Sequence, residues 1–187
     1  LMDQGLVKRP LLVTKPRLVK ENISEINRIS KGKINAIPLR TRTIRHLKVK
    51  AGLKTAKDFI EWARKLPPNT IFVCAYSDFG TGSTLFKDLE VPARAMWYDV
   101  HLSQVVHLIR LIGIDAVYGD EAHMIKNMNS RRSVCSYSVF AGAEYTRIAS
   151  GTLTPNLPKD LVGEMYALNP IIFGDNIDSF EETYKIV

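Results

Sequence analysis

The chain has 187 residues, of which 45% are hydrophobic and 24% charged, and its formal net charge is +7. The apolar content excludes a disordered chain, and no stretch of the sequence reaches the roughly 20 uninterrupted apolar residues of a membrane helix. The presence of only two cysteines and the lack of an apolar signal segment at the N-terminus favour a soluble intracellular protein. The expected compartment is the cytoplasm if the protein is bacterial or viral, and the nucleus if it is eukaryotic. Residues 1–69 carry a net charge of +12 and residues 70–187 a net charge of −5, which indicates either a polyanionic partner or a solvated basic surface.

Strand-like and helix-like segments alternate along the chain, as is typical of an α/β domain with a mainly parallel sheet. In chain order, the spacing predicts a strand at 11–13, a helix at 16–29, a strand at 34–38, a helix at 55–66, a strand at 70–76, a loop at 77–84, a helix at 101–112, a strand at 114–119, a helix at 130–145, a strand at 147–149 and a helix at 158–168. The pattern of residues 39–54 is basic and predicts no element. Without repeats or linkers, one domain is expected.

Two acidic residues, Asp120 and Glu121, directly follow the predicted strand at 114–119. Ligands of open parallel sheets bind beyond the carboxyl ends of the strands, so a carboxylate at Asp120 is suited to hold Mg²⁺. A second carboxylate, Glu121, is suited to orient or deprotonate an attacking water. His123 is close enough in sequence to report the state of the site to a neighbouring loop. The alternative is that Asp120 only caps a helix.

The segments around this acidic pair form an ordered series. Residues 120–127 read DEAHMIKN, residues 149–156 read ASGTLTPN, and LVGEMYALNP and IIFGDNIDSF follow. The series resembles the first motor domain of superfamily 2 helicases and translocases, in particular the Swi/Snf-related DNA-dependent ATPases, over about residues 10–187. The resemblance implies a RecA-like three-layer α/β sandwich, ATP and Mg²⁺ as cofactors, and ATP hydrolysis at the DEAH box coupled to movement along nucleic acid, with double-stranded DNA as the expected partner.

The resemblance extends to two segments that touch nucleic acid in the family. PLLVTKPRLV resembles a motif in which a strand ends in a turn against the phosphate backbone, so Thr14, Lys15 and Arg17 are candidate phosphate contacts. TIFVCAYSDF resembles the next such strand, and Tyr76 and Ser77 are candidates for the same track. The alternatives are an ordinary solvated turn for Lys15 and Arg17 and a core aromatic for Tyr76.

A third segment matches the family's coupling motif and carries two departures from it. The hydroxyls of Ser150 and Thr152, in Ser150-Gly151-Thr152, are implied to bond to the DEAH segment, although a turn that caps the following helix is a second interpretation. Gly119 stands where the family usually has an aliphatic residue, and Leu153 stands where proline is frequent. Neither departure touches a reacting group.

The chain has no phosphate-cradling loop of the form GxxxxGK[ST], and the glycine-rich segment at 80–84 lacks the lysine. In the family this loop precedes the motif at Thr14, and arginines of a second motor domain complete the ATP site. We therefore expect residues 1–187 to be a partial motor domain without ATPase activity of its own, with a second motor domain as its partner. The alternatives are a non-catalytic DNA-binding or interaction module with the same fold, and the motor of a restriction system.

Two cysteines, two histidines and two tryptophans are expected in packing or surface roles rather than as metal ligands or base-stacking groups. They are Cys74, Cys135, His101, His107, Trp62 and Trp97.

Overall fold

The computed structural model describes residues 2, 4–91, 102–151 and 160–173. Within these ranges the strands are β1 (Pro10–Thr14), β2 (Asn35–Pro38), β3 (Thr70–Ala75), β4 (Ala116–Asp120) and β5 (Tyr145–Ala149). The helices are α1 (Val19–Ile29), α2 (Thr41–Lys50), α3 (Ala56–Arg64), α4 (Tyr76–Phe79), α5 (Gln104–Ile112), α6 (Arg131–Phe140) and α7 (Asp160–Leu168). Two short 3-10 turns cover Ala122–Ile125 and Pro170–Phe173.

The five described strands form one sheet in the order β2-β3-β1-β4-β5, and every neighbouring pair is parallel. Parallel pairing requires each strand to be followed by a crossover, so all the carboxyl ends lie at one edge of the sheet. At that edge Thr14 is opposite Ala75, and Asp120 is opposite Ala149. The architecture is the RecA-like α/β sandwich expected from the sequence, and it brings the segments that follow β1, β3, β4 and β5 together.

The larger part of the core lies on one face of the sheet, where alternate residues of the strands meet α3, α5 and α6. Its completely buried side chains include Leu11, Val13, Cys74, Phe59, Leu108 and Ile44. The opposite face holds a smaller cluster of Val19, Val73 and Ala75, which α1 covers. Tyr118 of β4 projects on this second face and remains 47% exposed. The described part of the chain therefore covers this face over β3 more completely than over β4.

Several boundaries predicted from the sequence match the structure because specific caps define them. α3 begins after Thr55, whose Oγ1 accepts a hydrogen bond from the Asp58 amide at 3.1 Å, while the Asp58 carboxylate accepts one from the Thr55 amide at 2.9 Å. α5 ends at Gly113, which has a left-handed φ of 82°. Both are standard helix-capping arrangements with recognisable residues.

Three sequence-based expectations are corrected. The predicted strand at 70–76 ends at Ala75, and α4 begins at Tyr76 because the Asp78 carboxylate accepts a hydrogen bond from the Ala75 amide. The segment expected as a loop therefore starts with a helical turn. The predicted helix at 130–145 ends at Phe140, whose carbonyl accepts a hydrogen bond from the Thr146 hydroxyl, and residue 145 already belongs to β5.

The basic segment that predicted no element contains the helix α2. It has a single fully buried residue, Ile44, so its apolar stripe is too narrow to produce a clear helical pattern. No helix among the described residues has the length and apolar character needed to cross a membrane.

Candidate functional site

The ends of β1 and β4 meet through a hydrogen bond between two side chains predicted to be functional. Thr14 Oγ1 donates to Asp120 Oδ2 at 2.8 Å. Thr14 is completely buried, so its hydroxyl orients the Asp120 carboxylate instead of facing a nucleic acid. The helix-cap alternative for Asp120 does not apply, since Asp120 ends β4 and the residue before the 3-10 turn is Glu121.

Asp120 retains one carboxylate oxygen, Oδ1, without a hydrogen bond or ion pair to the described residues. No group of three or more His, Cys, Asp or Glu side chains in the described ranges is arranged to hold a metal ion. Mg²⁺ commonly binds through one or two protein carboxylates together with water and substrate phosphates. A single oriented carboxylate with a free oxygen fits that manner of binding, and it does not fit an all-protein metal cage.

Glu121 pairs with Lys15, lies against His123 and has a strained backbone conformation. Its Oε1 lies 3.1 Å from Lys15 Nζ, and its Oε2 lies 3.2 Å from His123 Nδ1. The φ and ψ angles of Glu121 are 57° and 50°, in the left-handed region that residues other than glycine rarely adopt. The side chains of Lys15 and Glu121 are 19% and 28% exposed, so the pair is accessible from solvent but partly shielded from it.

His123 links this pair to β5. Its Nδ1 also lies 3.3 Å from Ser150 Oγ, immediately after the end of β5. Such a contact between the DEAH segment and the coupling motif is what the family resemblance implies for Ser150. Gly151 is exposed, and Thr152 lies outside the described residues, so both its role and the helix-capping alternative remain predictions.

Tyr76 is completely buried at the start of α4, as the core alternative requires, and it has no exposed surface with which to line a nucleic-acid track. Burial raises the pKa of its hydroxyl, and nearby acidic groups, including Asp120 and Glu164, raise it further. An added Cβ at Gly119 would lie 2.7 Å from both Tyr76 Oη and the Phe140 ring. The Tyr76 hydroxyl and this ring therefore account for the glycine that departs from the family pattern. Ser77 is partly exposed.

Exposed basic residues follow the carboxyl ends of β1 and β2. Arg17 is exposed in the turn after β1, and Arg42, Arg45 and Lys50 are exposed on α2. None of these four, which we call the basic edge, makes an ion pair with another described residue. Arg40 differs, since its Nε lies 2.9 Å from Asp78 Oδ2. Sequence analysis missed α2 as a candidate, although six Lys and Arg without any acidic residue in 39–54 were the available signal.

A groove of about 440 Å³ lies between α1 and β4 on the less covered face of the sheet. Its apolar lining includes Leu12, Ile26, Ile29 and Tyr118, and Glu25 and Asp120 contribute its acidic groups. The groove and the Thr14–Asp120 contact therefore share one carboxylate.

The other singled-out residues pack as expected where they are described. Cys74 and Cys135 are buried free thiols, and burial raises the pKa of each. The Trp62 ring packs 5.4 Å from that of Phe59. His107 is partly buried on α5, whereas His101 and Trp97 lie outside the described residues.

Comparisons of the chain with protein-family models and with curated proteins gave no match.

Proposed function

We propose that the chain is part of the first motor domain of an ATP-dependent DNA helicase or translocase of superfamily 2, related to the Swi/Snf ATPases. The observation that carries the proposal is the meeting of two neighbouring sets of side-chain contacts at the carboxyl edge of the sheet. Thr14 contacts Asp120, Lys15 contacts Glu121, and Glu121 contacts His123, which lies beside Ser150. These residues come from three segments that the sequence had assigned to nucleic-acid contact, ATP hydrolysis and coupling.

The proposed substrate is Mg²⁺-bound ATP, in which the cation neutralises phosphate charge and leaves the terminal phosphorus open to attack by water. Asp120 would hold the cation through the oxygen that Thr14 does not engage. Glu121 would orient the water and accept its proton, a role that requires an accessible lone pair on one carboxylate oxygen. His123 and Ser150 would transmit movement of Glu121 to the end of β5.

The proposed nucleic-acid interface combines Lys15 with the basic edge. Arginine and lysine side chains without acidic partners are the groups that bind backbone phosphates, and they give affinity without reading sequence. The absence of acidic residues from α2 supports this assignment, because the helix itself places no carboxylate beside a bound phosphate.

The proposed activity needs a phosphate-cradling loop and a second motor domain, both supplied by polypeptide other than these 187 residues. The 187-residue chain alone is therefore expected to bind duplex DNA and to lack ATP turnover.

Two measurements test this function. Binding of the 187-residue chain to a fluorescent DNA duplex should weaken with salt, and replacing Arg42 and Arg45 by glutamine should reduce the slope of log affinity against log salt by about 0.9 per lost phosphate contact. A longer chain that adds a GK[ST] loop and a second motor domain should hydrolyse ATP in a DNA-dependent manner, and Glu121→Gln should abolish it. DNA binding without turnover in that longer chain would favour the non-catalytic module, and affinity that is independent of salt would contradict the basic interface.

A further inference from the structure

Lys15 connects two sites that the proposed function keeps separate. As a residue of the turn after β1, it is a candidate contact for a DNA phosphate, yet its ammonium group lies 3.1 Å from Glu121 Oε1. A phosphate that binds this ammonium group competes with the Glu121 carboxylate for its positive charge, although the group has three N–H donors. Arg17 and the α2 arginines differ from it, because none of them has an acidic partner among the described residues.

The contact between Lys15 and Glu121 bears on the role proposed for the Glu121 carboxylate as a proton acceptor. Lys15 engages Oε1 while His123 lies against Oε2, so a water that gives its proton to Glu121 must share either oxygen with a basic neighbour. The left-handed backbone at Glu121 holds the carboxylate in this arrangement at a conformational cost. A residue in a strained conformation that an ion pair stabilises is suited to change position when its partner is withdrawn.

We propose that Lys15 is a positioning residue that retains Glu121 in the DNA-free chain and releases it when a DNA phosphate takes the ammonium group. The proposal rests on the function proposed above, and it assigns the coupling of DNA binding to hydrolysis to a single ion pair. No covalent step is involved, because Lys15 exchanges one anionic partner for another. Binding linkage is reciprocal, so Glu121 must weaken DNA binding by the same factor by which DNA weakens the Lys15–Glu121 contact.

Reciprocity allows a test on the 187-residue chain itself without any ATPase measurement. Affinity for a short DNA duplex is measured at fixed salt and in EDTA for the wild type, Glu121→Gln, Lys15→Gln and the double variant. Glu121→Gln should bind the duplex about threefold to fivefold more tightly, the range expected for loss of one partly exposed ion pair. In the Lys15→Gln background the same substitution should leave the affinity unchanged. Lys15→Arg should restore the effect of Glu121→Gln, since arginine can also alternate between carboxylate and phosphate.

A matched control comes from α3, where Lys57 Nζ lies 4.0 Å from Glu61 Oε1 on the surface. Glu61→Gln frees a lysine and removes one negative charge in the same way, and it should not change DNA affinity. Circular dichroism of each variant verifies the fold. Equal tightening by Glu121→Gln with and without Lys15 would overturn the proposal, because the effect would then be general charge removal. An unchanged affinity in Glu121→Gln would overturn it while leaving the DNA interface intact, whereas failure of the wild type to bind DNA would remove both.

Discussion

The hydroxyl of Tyr76 should destabilise the native chain. Its oxygen is buried and makes no hydrogen bond with the described residues, and its side chain is completely buried. A buried polar group without a partner costs about 1–3 kcal/mol, because the hydration lost on folding is not replaced. Tyr76→Phe removes the hydroxyl and keeps the ring, so it should raise the free energy of unfolding by about 1 kcal/mol or more. Urea denaturation with an unchanged m-value measures this difference.

Tyr137 provides the matched control. It is also buried, at 2% exposure, but its hydroxyl donates to the Ile125 carbonyl at 2.8 Å. Tyr137→Phe leaves that carbonyl without this donor and should lower the free energy of unfolding by about 1–3 kcal/mol. The same chemical change is therefore expected to have opposite signs at the two tyrosines. A Tyr76→Phe variant destabilised as much as Tyr137→Phe would show that the Tyr76 hydroxyl has a partner in solution, which would refute the reasoning.

Gly119 extends this test to the residue beside Asp120. A Cβ at this position would lie 2.7 Å from Tyr76 Oη and from Phe140 Cζ, well inside the contact distance of carbon atoms. Gly119→Ala should therefore lower the free energy of unfolding by about 1–3 kcal/mol. In the Tyr76→Phe background the cost should be smaller but not zero, since the contact with Phe140 remains. Purely additive effects of the two substitutions would argue against this packing.

Three further predictions concern the scaffold. Thr55→Ala removes the capping contact with Asp58 and should lower stability by about 1 kcal/mol in urea denaturation. Gly163→Ala should destabilise the chain despite the higher helix propensity of alanine, because its Cβ would lie 2.7 Å from the Ile125 carbonyl oxygen; a more stable variant would contradict that close approach. Burial, with a smaller contribution from nearby positive charge, lowers the pKa of His107, so the unfolded chain binds its proton more tightly. The free energy of unfolding is therefore not reduced by His107 above its unfolded-state pKa of about 6.5, and it falls as the pH drops below that value because the unfolded chain takes up the proton first. His107→Leu should remove that part of the pH dependence in paired unfolding curves, and parallel wild-type and variant profiles would exclude it.

The candidate site divides into residues whose environment could be predicted and residues whose environment could not. The end of β4 at Asp120 could be predicted, because an apolar run in the sequence stops there at an acidic pair, and such a local pattern is enough to place the end of a strand. The contact between Lys15 and Glu121 could not be predicted, because it joins residues 106 positions apart in the chain. The sequence assigned these two side chains to different partners, and only the pairing of β1 with β4 brings them within hydrogen-bonding distance of each other.

The burial of Tyr76 and the formation of α2 could not be predicted from the local sequence either. At the end of an apolar strand, an aromatic residue is equally compatible with the core and with an exposed track, and its burial depends on Phe140 and Gly119 from distant segments. In α2 the side chains are mostly polar, so periodicity carried little information although the helix forms. Its position after β2 makes its unpaired arginines part of the basic edge.

By itself, the sequence determined the alternation of strands and helices, the parallel sheet and the positions at which chemistry-bearing residues follow strands. These properties depend on apolar periodicity and capping, which act over a few residues. The tertiary structure decided the partners of those residues: Thr14 orients Asp120, Lys15 pairs with Glu121 beside His123, and Tyr76 occupies the space above Gly119. Such contacts depend on strand order and register, and strand order joins segments that are remote in the chain. The residue types of the site are therefore local information, whereas its electrostatic connections exist only in the folded chain.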